Sequence, residues 1–278
     1  GSNRENEDFQ RIQVNRRVFA AAPTTSAIAY SDSKSIYIRE TYDSQKQKSF
    51  AYPDAQRILF TNDSKELIVI GPAYSISKYS VDSAEKIWSV NFKGNIHAEQ
   101  CHPTLPWILL HKTLRSDNTG TSLIFLNADS GEVLHSHRIA KRAKALFLPG
   151  GKYLSIQSKS TTFEFVPIEQ AEVLWPKSSV QEYEHIRNYH HEFIVHPNYS
   201  GLLGLNNIAP SAVQYADNPT QDFGIVEIAP NKALKVLSSR RVVGKFPIIA
   251  FKSGLVVNSS LILREAFKHP ELGSNGNH

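Results

Sequence analysis

A short unit of two apolar runs flanking a turn recurs six times along the chain. This self-similarity constrains the fold more than any other feature, because a recurring period of this length marks a repeat architecture. The copies read VFAAAPTTSAIAY from Val18, ILFTNDSKELIVI from Ile58, AEQCHPTLPWILL from Ala98, ALFLPGGKYLSI from Ala145, FIVHPNYSGLLGL from Phe193 and IAFKSGLVV from Ile249. Their turns fall at Pro23, Asn62, Pro103, Pro149, Pro197 and Ser253, spaced by roughly 40 to 56 residues. Aliphatic and β-branched runs bounded by Pro, Gly, Asn and Asp read as strands joined by turns. No stretch of similar length keeps a helical period, so helix is nearly excluded.

Two further strands lie between successive copies. Residues 35–41 and 48–52, 75–81 and 86–92, and 122–127 and 132–139 complete the first three units. Residues 161–168 with 171–176, and 223–228 with 233–239, complete the fourth and fifth. Asp129-Ser130-Gly131 and Asp82-Ser83-Ala84 supply the turn chemistry of the closing hairpins. A four-stranded antiparallel sheet with two apolar faces cannot bury them alone, so the expected fold is an all-β propeller of six or seven blades stacked around an axis. The last unit has only three strands, 246–251, 254–259 and 261–267, while residues 8–15 alternate Phe9, Ile12 and Val14 with polar neighbours ahead of the first unit. An N-terminal strand completing the last blade is therefore expected, since it would remove open sheet edges. The organisation expected is one propeller domain over 8–267, a disordered head over 1–7 in which Gly1-Ser2 reads as the scar of a cleaved tag, and a disordered tail over 268–278.

The turn between the first two strands carries a family resemblance. Cys101-His102-Pro103, Val195-His196-Pro197 and Leu148-Pro149-Gly150-Gly151 resemble the apolar-His-Pro or apolar-Pro-Gly turn of WD-repeat propellers, and the likeness runs over nearly the whole chain. No Trp-Asp dipeptide ends a third strand; the corresponding positions read Arg39-Glu40-Thr41, Lys78-Tyr79-Ser80 and Leu126-Asn127-Ala128. The resemblance implies a rigid, non-catalytic platform for other macromolecules, by analogy of fold.

Composition narrows the chemistry further. The net charge of +5 and pI near 9.1 permit binding to phosphates or acidic surfaces without demanding it. The lone Cys101 excludes an intramolecular disulfide and a cysteine-rich zinc site. Among eleven histidines the tightest groupings are His135 with His137, and His190-His191 with His196, but a zinc site needs three or four converging ligands. His102 and His196 occupy the recurring turn and are expected to pack or bond locally, so neither metal nor cofactor is expected. No Gly-x-Ser-x-Gly elbow occurs, Cys101 ends an innermost strand where a thiol is inert, and Leu148-Pro149-Gly150-Gly151-Lys152 lacks the spacing of a phosphate loop. Trp107 reads as packing between blades.

The positive signal lies in where the long connections fall. In a propeller the links from second to third strand, and from fourth strand to the next first strand, emerge on one face. The inserts 114–120, 176–189 and 206–222 all belong to that face, and so do the basic residues gathered beside them. The expected partner-binding set is Arg115, Arg142, Lys144, Arg240, Arg241 and Lys245, with Tyr183, Tyr189 and Tyr215 as aromatic anchors. The function expected is a non-enzymatic scaffold holding a protein partner on this basic face. Nucleic-acid binding by the same face, and a ligand- or metal-binding enzyme using the central channel, are the alternatives.

Overall fold

The computed structural model describes residues 18–40, 46–113, 121–140, 143–148, 150–158 and 162–182, together with Pro230 and the backbone of seven later strands between 192 and 263. The first sheet contains β1 (Phe19–Ala21), β2 (Ala27–Ser31), β3 (Ser35–Glu40) and β4 (Gln47–Ala51). The second contains β5 (Arg57–Phe60), β6 (Glu66–Ile70), β7 (Ser75–Ser80) and β8 (Lys86–Asn91), and the third β9 (Asn95–Cys101), β10 (Trp107–Thr113), β11 (Thr121–Asn127) and β12 (Val133–Ile139). The fourth is built from β13 (Lys144–Phe147), β14 (Tyr153–Gln157), β15 (Thr162–Glu169), β16 (Glu172–Val173) and β17 (Ser179–Glu182). The fifth holds β18 (Glu192–Val195), β19 (Leu202–Ile208), β20 (Thr220–Glu227) and β21 (Lys235–Val243), and the sixth β22 (Ile248–Phe251), β23 (Gly254–Val257) and β24 (Leu261–Leu263). Every pairing is antiparallel between neighbours in sequence except that β15 pairs with both β16 and β17. The innermost strands β1, β5, β9 and β13 lie side by side, β18 lies beside β22, and β22 returns to β1. Among the described residues the strands form six sheets of a β-propeller, as the repeat predicts.

The core sits between sheets, and this dictates the pattern of each strand. Leu67 and Val69 of β6 face the first sheet, joining Ala29, Ile36 and Ile38, while Ile68 and Ile70 face the third, joining Ile108 and Leu110. Leu109, Leu123 and Phe125 then pack against Phe147, Leu154 and Val166 of the fourth. A second strand covered on both faces reads as a continuous apolar run, LIVI or WILL, whereas the outermost strands β4, β8 and β12 are largely exposed and polar. Each aliphatic buried in these seams contributes about 1.5–3 kcal/mol. Trp107 lies in the third seam, as expected of an inter-blade residue.

Apolar contact is non-directional, so hydrogen bonds fix how neighbouring sheets sit. They are concentrated in the turns after the innermost strands. The Thr24 hydroxyl donates to Ser64 Oγ (2.8 Å) and the Asp63 carbonyl (3.1 Å) in the next turn; Asn62 Nδ2 donates to the Pro103 carbonyl; His102 Nε2 donates to the Gly151 carbonyl (3.0 Å). His102 is only 1% exposed, and its Nδ1 accepts from the backbone N–H of Thr104 (3.1 Å) and Leu105 (2.9 Å), which leaves Nε2 as the protonated nitrogen. The expectation of local bonding by His102 holds, and the bond reaches a neighbouring blade as well. Gly151 permits the contact: it has φ +71°, and a Cβ there would meet His102 Cε1 at 2.3 Å.

Two expectations are corrected. The fourth blade's last strand was expected over 171–176, with a loop following. Instead Glu172–Val173 pair briefly, Trp175–Lys177 form a 3-10 turn, and Ser179–Glu182 rejoin β15. Pro176 has no N–H for the ladder, so the chain leaves the sheet there and returns. The insert expected over 206–222 is also shorter, because β19 extends to Ile208 and β20 begins at Thr220. The closing strand expected over 8–15, and the head and tail expected over 1–7 and 268–278, lie outside the described residues.

Burial holds the folded His102 near pKa 4, against the usual 6.5. Between those values the unfolded chain takes up a proton that the folded chain refuses. The contribution is therefore complete above about pH 6.5 and is lost as pH falls toward 4, amounting to about 3 kcal/mol. Urea unfolding from pH 7 to 4.5 is expected to show this loss in the native chain and a flatter profile in His102→Gln, whose amide can still donate to Gly151. An identical slope in both would assign the acid loss elsewhere.

Candidate functional site

The turns that carry the bonds of Thr24, Asn62 and His102 lie on one face; on the opposite face, where connections leave and enter the sheets, the Tyr52 hydroxyl and Ser75 Oγ (3.3 Å) join the first two blades. The described parts of that opposite face include two built features. In the first sheet Asp32 Oδ1 accepts from the N–H groups of Lys34 and Ser35 (both 2.7 Å), and Oδ2 accepts from the Tyr37 hydroxyl (2.9 Å). These bonds, the backbone ones first, hold the Asp32 carboxyl below its usual range, and the same contact raises the Tyr37 phenol. Tyr37 stacks on its cross-strand partner Tyr30 with centroids 5.2 Å apart. A half-exposed aromatic pair is thereby fixed at the edge of this face. Single tyrosines on separate strands give no sequence signal, but their pairing around the Asp32-Ser33-Lys34 turn could have been read from it.

The second feature lies where the innermost strands begin. Four residues beyond the bond that closes each turn, the second strand pairs with Arg57, His97 and Lys144: Ile70 with Arg57, His111 with His97, Gln157 with Lys144. All three are exposed and stand at equivalent positions in three successive blades. Lys93, in the connection into β9, is exposed beside them in sequence.

Of the expected partner-binding residues, Lys144 is exposed at the head of β13. Arg240 and Arg241 belong to β21, in register with Phe223 and Asp222. Arg115, Arg142, Tyr183, Tyr189, Tyr215 and Lys245 lie outside the described residues. Arg57 and His97 stand outside the expected set; for His97, the β-bulge opposite Leu109/Leu110 shifts β9 by one residue and hides its alignment with the other two.

The chemical candidates take structural places. His135 stacks on Phe125 (4.2 Å) and His137 on Trp175 (3.5 Å, 9° between planes), the latter bridging the third and fourth blades. Desolvation lowers both imidazoles, and proximity to His137 lowers His135 further. The pair is occupied by aromatic contacts, and among the described residues no three or more His, Cys, Asp or Glu gather as a metal site. His190, His191 and His196 lie outside the side chains described. Desolvation pushes the Cys101 thiol up to about 12, the opposite of an activated nucleophile.

Neither protein-family models nor curated proteins give a match to this sequence. Solved structures do, at the level of fold. The chain is similar to hydrazine synthase of Kuenenia stuttgartiensis at 13% identity and TM-score 0.50, covering 76% of this chain and 64% of that one. It is similar to the WD40 domain of Toxoplasma gondii coronin at 14% identity and TM-score 0.52, covering 83% and 60%. A third likeness is to the complex of KlAtg21 with the coiled-coil of AgAtg16, at 10% identity and TM-score 0.51, covering 80% and 84%. The chain thus spans less than two thirds of the first two proteins' length. A propeller that includes a WD40 domain among its likenesses agrees with the turn motifs of the sequence.

The raised thiol pKa predicts slow chemistry. At pH 8, Cys101 is expected to react with a thiol-disulfide reagent at least tenfold more slowly in the folded chain than in urea, because only a small thiolate fraction exists. Rapid labelling of the folded chain would show the thiol to be activated.

Proposed function

We propose that this propeller is a non-enzymatic scaffold that holds a protein partner on its connection-bearing face. The observation that carries the reading is the division between the two faces. One is committed to inter-blade hydrogen bonds through Thr24, Asn62 and His102, and the other presents exposed basic residues and the Tyr30–Tyr37 pair. Binding residues are usually borne on the loops of a rigid scaffold. Aromatic side chains with low entropy and basic groups that steer association suit a protein interface. The complex of KlAtg21 with a coiled-coil adds a precedent for a fold of this kind engaging another chain.

The proposed binding set is Arg115, Arg142, Lys144, Arg240, Arg241 and Lys245, with Tyr183, Tyr189 and Tyr215 as anchors. Its basic members would accelerate encounter, and the tyrosines would supply most of the buried contact. Affinity capture from the native source, followed by identification of the retained chains, tests the reading. Charge reversal at Arg142, Arg240 and Lys245 together is expected to reduce capture of the partner at least tenfold while the unfolding midpoint is unchanged. Undiminished capture would place the interface elsewhere. Binding to single-stranded RNA that falls steeply with salt, in the absence of protein capture, would turn the reading toward nucleic acid.

A further inference from the structure

We infer that residues 170–182 of the fourth blade form a strap, which latches onto the third blade through Trp175 and swings off the edge of β15 while the rest of the blade stays folded. The strap lies on the outer rim of the propeller, and its opening does not depend on the partner face proposed above.

In a continuous ladder Ile168 and Phe165 would face residues three apart, Val173 and Pro176. Ile168 does pair with Val173, but Phe165 pairs with Ser179, so an excursion of three extra residues separates β16 from β17. Trp175, Pro176 and Lys177 coil into a 3-10 turn there. The excursion carries its aromatic side chain away from its own sheet. The Trp175 ring stacks on His137 (3.5 Å, 9° between planes) and meets Phe125 edge to face (6.4 Å), both of them residues of the third blade.

The rest of the strap is held weakly. β16 pairs through two residues, of which Val173 alone is buried. β17 pairs through four, and Val180, its one apolar residue, is 68% exposed, so this strand adds almost no apolar burial. The ion pair of Lys177 and Glu169 (3.2 Å) is exposed on both sides and adds little. The turn that begins the strap works against closure. Gln170 and Ala171 have φ +50° and +58°, a left-handed pair that two-residue hairpins favour as Asn-Gly. Each carries a Cβ that disfavours these angles, and opening returns both residues to ordinary ones. The outermost strands of the two preceding blades differ, since β8 and β12 each run unbroken over six and seven residues.

Few buried contacts and one aromatic anchor describe a segment that opens on its own, ahead of the body it covers. Opening takes the β17 partners away from Thr162–Phe165 and uncovers the His137 ring. The blade itself stays in place, because Phe147, Leu154 and Val166 of β13, β14 and β15 hold it in the third seam.

Hydrogen–deuterium exchange of the full chain, read by mass spectrometry on peptides from the strap, β8 and β12, tests the opening. In the native chain residues 172–182 are expected to be roughly tenfold less protected than residues 86–91 and 133–139. Trp175→Ala removes the latch and should reduce protection of the strap by roughly a further tenfold while β8 keeps its own; Trp175→Phe, which retains a ring, should cost less. Gln170→Asn with Ala171→Gly relaxes the turn and is expected to raise protection of the strap roughly fivefold. Thermal unfolding of each variant separates loss of the latch from loss of the fold. The inference is overturned if the native strap is as protected as β8 and β12, if Trp175→Ala exposes all three peptides equally, or if relaxing the turn leaves the strap unchanged.

Discussion

The contact on which the rest depends is the one between the turns of neighbouring blades. A four-stranded sheet of this composition has apolar residues on both faces, and no blade could keep both from water by itself. Stacking solves the burial, but aliphatic surfaces slide over one another at small cost. The turn bonds remove that freedom. At the first junction the donor is a threonine hydroxyl, at the second an asparagine amide and at the third an imidazole, each reaching the turn of the next blade. The geometry repeats while the chemistry changes, which is how a ring can be regular in space with weak likeness between its copies.

Polar contacts farther from the axis fasten the same junctions. Lys48 Nζ donates to the Asp82 carbonyl (2.6 Å), and Trp88 Nε1 donates to the Ala128 carbonyl (3.1 Å), in each case from an outermost strand to the next blade's hairpin. Gly131, with φ +76°, lets that hairpin pass close to the Trp88 ring. Lys78 is the costliest of these groups, since its side chain is 3% exposed and an unpaired ammonium there would lose its hydration with nothing in return. Glu66 at 2.8 Å, on its own sheet, and Asp129 at 3.6 Å, on the next, supply the compensation. The third junction substitutes a His137–Trp175 stack, which accounts for a histidine pair that from spacing alone resembled two metal ligands.

Much of the fold was legible because burial on two faces leaves an unmistakable trace. The runs around Leu67–Ile70 and Trp107–Leu110 have no polar interruption, so the second strand of each blade could be placed to within a residue or two, and the other strands follow from it. What was hidden depends on exceptions to period two. Pro176 divides a strand whose two halves look, in sequence, like one strand and a loop. The bulge in β9 displaces His97 by one position from the alignment that Arg57 and Lys144 share. Tyr30 and Tyr37 read as ordinary strand residues until Asp32 is seen to bond both its own turn and the Tyr37 hydroxyl. The site was thus readable where it sits on a regular strand, as at Lys144, and unreadable where it depends on register between strands.

These exceptions bear on function because of where they fall. Each inter-blade bond made by a turn residue ties that residue to structure and forbids it to vary for the sake of a ligand. The innermost strand runs from one face to the other, so its last residues belong to the locked turns and its first residues to the open face. In β13 the change occurs within four residues, from exposed Lys144 to buried Phe147, whose backbone N–H (2.7 Å) and carbonyl (3.3 Å) are both bonded by Gln100. Gln100 stands in the same bulged strand as His97, so the irregular strand β9 also supplies the amide that clamps it to β13. The spacing of β9 and β13 in this seam is accordingly set by two hydrogen bonds between the Gln100 side-chain amide and the Phe147 backbone, which hold the two innermost strands rigidly against each other.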